Sequence, residues 1–323
     1  MTPAQFEKHI EPRWQKLEKL LDEAEQSHPS AAVEELPATF RQVCHDLSMA
    51  QHRMSPQRLT QQLNALAIRA YRMLERQSSG GWEAFVRLFL VEFPQAVRAE
   101  WKLFWWCSAL FYVPTLLLIV VTPYYPEWSM AMLGPDGMMQ AEMMYGKGST
   151  LAANMRNRFG SDFQMFCFYI MHNIGIDFYT FASGLLAGIG SLIVLLFNGL
   201  SIGSMAGYIA YAGEPTLFYT FVVGHSAFEI TGMIIAGMAG FRLGLCVLKP
   251  NRLSRRDALV LAGRKAMPLL VGAAIMTFSA AIIEGFWSAR EFPAVIKYTF
   301  GGMCWVLVAA FLLFSGRRQT DAA

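Results

Sequence analysis

The chain is 323 residues long, 54% hydrophobic and only 16% charged, with a formal net charge of +3. That apolar excess excludes an ordinary soluble enzyme and points to a membrane body, while the weak basic balance excludes a nucleic-acid partner. The five cysteines, Cys44, Cys107, Cys167, Cys246 and Cys304, form no CxxC pair, so neither a disulfide framework nor a thiolate zinc site is expected.

The opening run, MTPAQFEKHIEPRWQ, has no apolar h-region, and no cleavable secretory signal is expected there. Residues 1–80 read as a cytoplasmic helical head, with helices over 4–27, 34–53 and 56–77. Ser55 can cap the third helix, Pro56 suits its first turn, and Leu59, Leu63, Leu66, Ala70 and Leu74 recur at helical spacing. Ser78, Ser79, Gly80 and Gly81 break the pattern. Over 81–102, Trp82, Phe85, Phe89 and Phe93 alternate with Arg87, Arg98 and Lys102, which suits an amphipathic helix lying in the headgroup layer.

From 103 to 318 the chain reads as a transmembrane domain, since a spanning helix needs roughly 20 mostly apolar residues. Spans are expected at about 103–122, 163–187, 188–212, 217–240, 266–286 and 294–315. The fold class is therefore all-α, a polytopic bundle of about six transmembrane helices behind a helical head. Asn198 and Gly199 interrupt the third span, which leaves a continuous helix and a broken or re-entrant one both open. Arg242, Lys249, Arg252, Arg255, Arg256, Arg264 and Lys265 crowd one loop, and Arg317 and Arg318 close the tail. The positive-inside rule puts that loop and both termini in the cytoplasm of a bacterial inner (plasma) membrane, with 123–162 as an extracytoplasmic loop. The methionines of that loop, Met130, Met132, Met138, Met139, Met143 and Met144, suit an adaptable apolar cover better than a Cu(I) site.

Small residues recur four apart at Gly184 and Gly188, at Gly199, Gly203 and Gly207, and at Gly232, Ala236 and Gly240. Such ladders let helix backbones approach closely in lipid, against a neighbour in the same chain or in a homo-oligomer.

Within these apolar spans lie His172, Asn173, Asp177, Asn198, His225, Glu229 and Glu284. Ionisable groups are costly there and are functional candidates by default. His225 and Glu229 share a helical face, as do Asn173 and Asp177. Three readings stay open: a hydrogen-bond clamp, a proton or cation path, and a metal site. In the last, His172, His225, Glu229 and Glu284 would hold a divalent ion such as zinc, with a bound water activated for hydrolysis. No HExxH pair, Walker A loop or strand-borne nucleotide fingerprint is present, and Cys167 reads as apolar packing.

The runs YIMHNIGIDFYTFASGLLAGIGSLIVLLFNGLSIGSMAG, GHSAFEITGMIIAGMAGFRLG, NRLSRRDAL and AAIIEGFWSA, with VEFPQAVRAEWKLFWW ahead of them, resemble the stage II sporulation protein M family. The resemblance implies an integral membrane protein of a multiprotein envelope system. In sporulating bacteria such proteins act with partners that thin peptidoglycan, and elsewhere they are encoded beside a MoxR-type AAA+ ATPase. Its motif positions correspond here to Asn173, Asn198, Gly199, His225, Glu229 and Glu284; His172 and Ser226 depart from it. The resulting expectation is a membrane scaffold or subunit, bound by lipid and protein partners, with a polar core open to an ion. Its rivals are a membrane-embedded metallohydrolase, without the paired glutamates of CAAX-type proteases, and an ion- or proton-coupled transporter.

Overall fold

A computed structural model describes residues 3–26, 32–52, 56–77, 81–148, 150–250 and 253–317. Ser55, Ser78, Ser79, Gly80, Arg252 and Arg318, to which caps, breaks or charges were assigned above, lie outside the described residues. All elements among the described residues are helical, and they form two compact units, Met1–Phe85 and Val86–Ala323.

The first unit holds α1 (Pro3–Gln26), α2 (Ala32–His52) and α3 (Gln57–Gln77). Ile10 and Leu17 on α1, Leu36, Val43 and Ala50 on α2, and Leu63 and Ala70 on α3 repeat every seven residues and share one core. Arg13 clamps α1 to α2 through Asp46, at 2.9 Å, on a carboxylate side chain only 5% exposed.

Where one helix was expected over 81–102, there are three segments: α4 (Gly81–Arg87), a π-helical turn (Leu88–Glu92) and α5 (Phe93–Ala99). The cause is Pro94, which has no N–H to offer the Leu90 carbonyl one turn back. That carbonyl accepts from the Ser315 hydroxyl instead. Glu100, at φ −115° and ψ 28°, then breaks the chain before α6 (Trp101–Val121). α5 is anchored in the bundle, because Phe93 is fully buried beside Gly272 and Arg98 donates to the carbonyls of Leu312 at 2.6 Å and Ser315 at 2.7 Å.

The stretch 123–162 is not a simple loop. It folds as α7 (Glu127–Tyr145), kinked where Gly134 adopts φ +65°, and α8 (Leu151–Phe159). Next come α9 (Asp162–Ser183), capped by the Ser161 hydroxyl, and α10 (Ile189–Ala212), with a turn between them in which Ala187 and Gly188 both take positive φ. Asn198 and Gly199 lie inside α10 without breaking it. The stretch 217–240 is two helices, α11 (Pro215–Val222) and α12 (Ser226–Leu248), parted at Val223, Gly224 and His225. At this break the Val223 backbone lies so close to Gly301 that a Cβ there would sit 2.6 Å from the Val223 carbonyl. The chain ends with α13 (Arg255–Ile283), a second π turn (Glu284–Ser288) and α14 (Ala294–Phe314).

Among the described residues five helices are long and apolar enough to cross a membrane: α6, α10, α12, α13 with its π turn, and α14. The expected count was six. α9 has 22 residues, but His172, Asn173 and Asp177 dilute its apolar character. α12 is the central helix, with 67% of its apolar window buried against 28% for α6 and α14. The outer faces of α6, α10 and α14 expose Val113, Val120, Ile193, Phe197, Val306 and Leu307, as a lipid-facing surface requires.

The glycine ladders are spent inside the chain. Gly199, Gly203 and Gly207 lie against α6, where an added Cβ would stand 2.5 to 2.7 Å from the carbonyls of Phe111, Thr115 and Leu118. Gly184 and Gly188 meet Gly240, Phe241 and Gly244 of α12, and Gly232 meets Thr277 of α13. The Thr115 hydroxyl, 2.7 Å from the Phe111 carbonyl of its own helix and 3.0 Å from that of Gly199, ties α6 to α10.

Candidate functional site

The second π turn and the α11–α12 break fall opposite one another, and together they assemble the polar centre. A π turn widens the helix by one residue, and here it brings Glu284 and Ser288 to the same neighbour. That neighbour is His225, the N-cap of α12. Its Nε2 lies 3.6 Å from Glu284 Oε1 and 3.7 Å from Glu229 Oε2. Its Nδ1 lies 3.0 Å from Ser288 Oγ. The donor atoms of His225, Glu229 and Glu284 all stand within 4.8 Å of one another.

Two of these three side chains are braced from outside the cluster. Asn173 on α9 donates to Glu284 Oε2 at 2.7 Å, and Phe221 packs edge-on to the His225 ring with centroids 5.2 Å apart. Lys297, buried on the first turn of α14, donates to the Ser288 carbonyl at 2.7 Å. One turn along α9 from Asn173, buried Asp177 accepts from the Thr277 hydroxyl at 2.6 Å and so ties α9 to α13.

Two sequence candidates stand apart from this group. His172 lies on the exposed side of α9, stacked on Phe168 at 5.4 Å, and reaches the cavity wall without joining the cluster. Asn198 donates to the Val194 carbonyl of its own helix at 2.8 Å. Two participants were not read from the sequence. Ser288 has no local signal, since its role depends on the π turn. Lys297 did have one, as a lone charge in an apolar run, and it belonged with the other intramembrane ionisable groups.

A cavity of about 350 Å³ lies over the cluster, with Tyr145, Arg158, Tyr169 and Ser201 in its wall beside His225 and Glu229. α7 covers its mouth: the Glu214 amide donates to the Tyr145 carbonyl at 2.8 Å, and the Tyr208 hydroxyl bonds Glu142. Burial, with the nearby Glu284 charge adding, pushes the Tyr145 phenol well above its ordinary range, so it offers a neutral hydroxyl. Met144 faces this interior while Met130, Met139 and Met143 face outward, a spread that suits packing rather than one soft-metal site.

The separations of the cluster carry chemical meaning. A direct hydrogen bond from an imidazole N–H to a carboxylate falls at about 2.7–3.2 Å, shorter than either His225 contact. Ligand atoms about 2.1 Å from a tetrahedral ion stand roughly 3.4 Å apart, which these contacts approach. One imidazole and two carboxylates form a borderline-to-hard donor set suited to zinc or a similar divalent ion, and unsuited to Cu(I).

Comparison with known proteins gives a domain of unknown function over residues 4–76, within the first unit. An uncharacterized protein of Methanocaldococcus jannaschii is 32% identical over 75 residues, 23% of this chain. The chain thus spans 42% of that curated relative's length. No solved structure matches. A family profile described as stage II sporulation protein M matches residues 107–289, from α6 through the second π turn, more than half of the chain and all three residues of the cluster. The chain is therefore a helical membrane protein of the stage II sporulation protein M family.

Proposed function

We propose that this protein is an integral membrane subunit of a multiprotein cell-envelope system, and that His225, Glu229 and Glu284 bind one divalent cation, zinc in the first instance. The observation that carries this reading is the convergence of one imidazole nitrogen and two carboxylates at 3.6 and 3.7 Å, too far for hydrogen bonds and close to a tetrahedral edge. With its proton on Nδ1 and donated to Ser288 Oγ, His225 turns the Nε2 lone pair toward the carboxylates. Asn173 fixes Glu284 in the same way. A cation there neutralises two carboxylates that otherwise share a buried site.

The bound ion would lock α12 to α13 beneath the cavity and so hold the face that α7 covers. The subunit role rests on the family resemblance, which links such proteins to envelope partners, a MoxR-type AAA+ ATPase system among them. A plasma-membrane location with both termini cytoplasmic is supported by one strongly basic end of the bundle, where Arg98, Lys102, Arg242, Lys249, Arg264 and Lys265 gather.

Thermal unfolding of chelator-treated protein in detergent, with and without zinc, tests the site. Zinc at a hundred times its Kd should add about 2.7 kcal/mol of stability to the native chain. The same addition should leave Glu229→Gln unmoved. Identical melting of the native chain with and without zinc would count against the reading.

A further inference from the structure

At the basic end of the bundle, α5, the last turns of α12 and the first half of α13 enclose a second cavity, about 650 Å³ in volume. Its walls include Leu245 and Leu269, and its polar groups are Glu100, Arg242, Lys249 and Lys265. Arg242 is engaged by Glu100 at 2.6 Å. Lys249 and Lys265 have no ion-pair partner among the described residues and are solvent-exposed. The cavity is therefore apolar in its walls and carries two unneutralised cations at its rim.

Its depth is set by the helices that frame it. α13 with its π turn runs 34 residues, about 51 Å at 1.5 Å per residue, against a hydrocarbon core of about 30 Å. The excess lies at its N-terminal end, where charged residues stop at Lys265 and an apolar run starts at Ala266. Lys249 likewise follows directly on Leu248, the last residue of α12. Both lysines thus sit at one level, the edge of the apolar zone, where phosphate groups of a bilayer lie.

We propose that this cavity is a binding site for one anionic phospholipid, its phosphate held by Lys249 and Lys265 and its upper acyl chains by Leu245 and Leu269, each one turn deeper than its lysine. The volume falls in the range of small-molecule sites, and a basic pocket between helices at headgroup depth is what anionic lipid recognition requires. A free phosphate would not need the leucine walls, and a zwitterionic lipid would not need two unpaired lysines. The site is separate from the His225 cluster, at the opposite end of α12, and stands or falls independently of it.

Native mass spectrometry of the full chain in detergent, equilibrated with equal amounts of phosphatidylglycerol and phosphatidylcholine, tests the proposal. The native chain should retain one phosphatidylglycerol, preferred about tenfold over phosphatidylcholine. Lys249→Ala/Lys265→Ala should lose that preference while keeping the melting temperature of the native chain, and exposed Arg264→Ala should retain it. Equal retention of the two lipids by the native chain would overturn the proposal, as would a preference that survives in the double variant. Displacement of the lipid by millimolar inorganic phosphate would overturn it in favour of a soluble anion. Because the first comparison uses only the native chain, it decides the matter even where a variant fails to fold.

Discussion

His225 is held at Nδ1 by Ser288, and its Nε2 faces two carboxylates. Its removal and that of its supports should therefore differ in degree. His225→Ala should abolish zinc binding, whereas Asn173→Ala, which only frees Glu284 to rotate, should weaken it about 10- to 100-fold. Competition with a chromophoric chelator measures both, and an Asn173→Ala affinity equal to that of the native chain would remove Asn173 from the site. Most residues of this centre were legible from spacing and polarity: His225 and Glu229 one turn apart, and intramembrane polarity at Asn173, Asp177 and Glu284. The remainder was not, because the approach of Glu284 and Ser288 depends on how α13 meets α12 and on a π turn that no local pattern announces. His172, one residue from Asn173, illustrates the same point, since a single step rotates a helical side chain by about 100° and carries it to another face.

At the scale of elements, the fit of α10 to α6 depends on three glycines in a row. Gly203→Val should lower stability by about 1–3 kcal/mol through overpacking, whereas Gly302→Ala, with nothing within 4 Å of the added Cβ, should be tolerated. Thermal unfolding in detergent separates the two, and equal melting would mean that the α6–α10 contact is loose. Arg98→Ala should free the end of α14 by removing two charge-assisted bonds to its last carbonyls, a loss of about 1.5–3 kcal/mol. Faster hydrogen exchange at the end of α14 is the expected sign, and unchanged exchange would contradict it. The helices of the first unit begin and end within two residues of their expected bounds, because heptad spacing fixes them locally. The departures lie at Pro94, which leaves the Leu90 carbonyl to accept from distant Ser315, and at His225, where α11 and α12 part.

For the molecule as a whole, charge separates the two ends of the bundle and sets a testable orientation. In a cysteine-free background, Met139→Cys should react with a membrane-impermeant maleimide in intact cells. Arg256→Cys should react only after permeabilisation. Labelling of both from the same side would reject six crossings and the cytoplasmic placement of the termini together. The cavity over His225 and the lysine-rimmed cavity lie at opposite ends of α12, so the same labelling assigns each to a membrane face. The central claim remains the cation at the convergence of α12 and α13. Its most direct measurement is the metal content of purified protein by plasma mass spectrometry, beside folded His225→Ala and Glu229→Ala variants. About one divalent ion per native chain, absent from both variants, is the predicted result; a native chain with no metal above background would contradict it and leave His225, Glu229 and Glu284 as a clamp between helices.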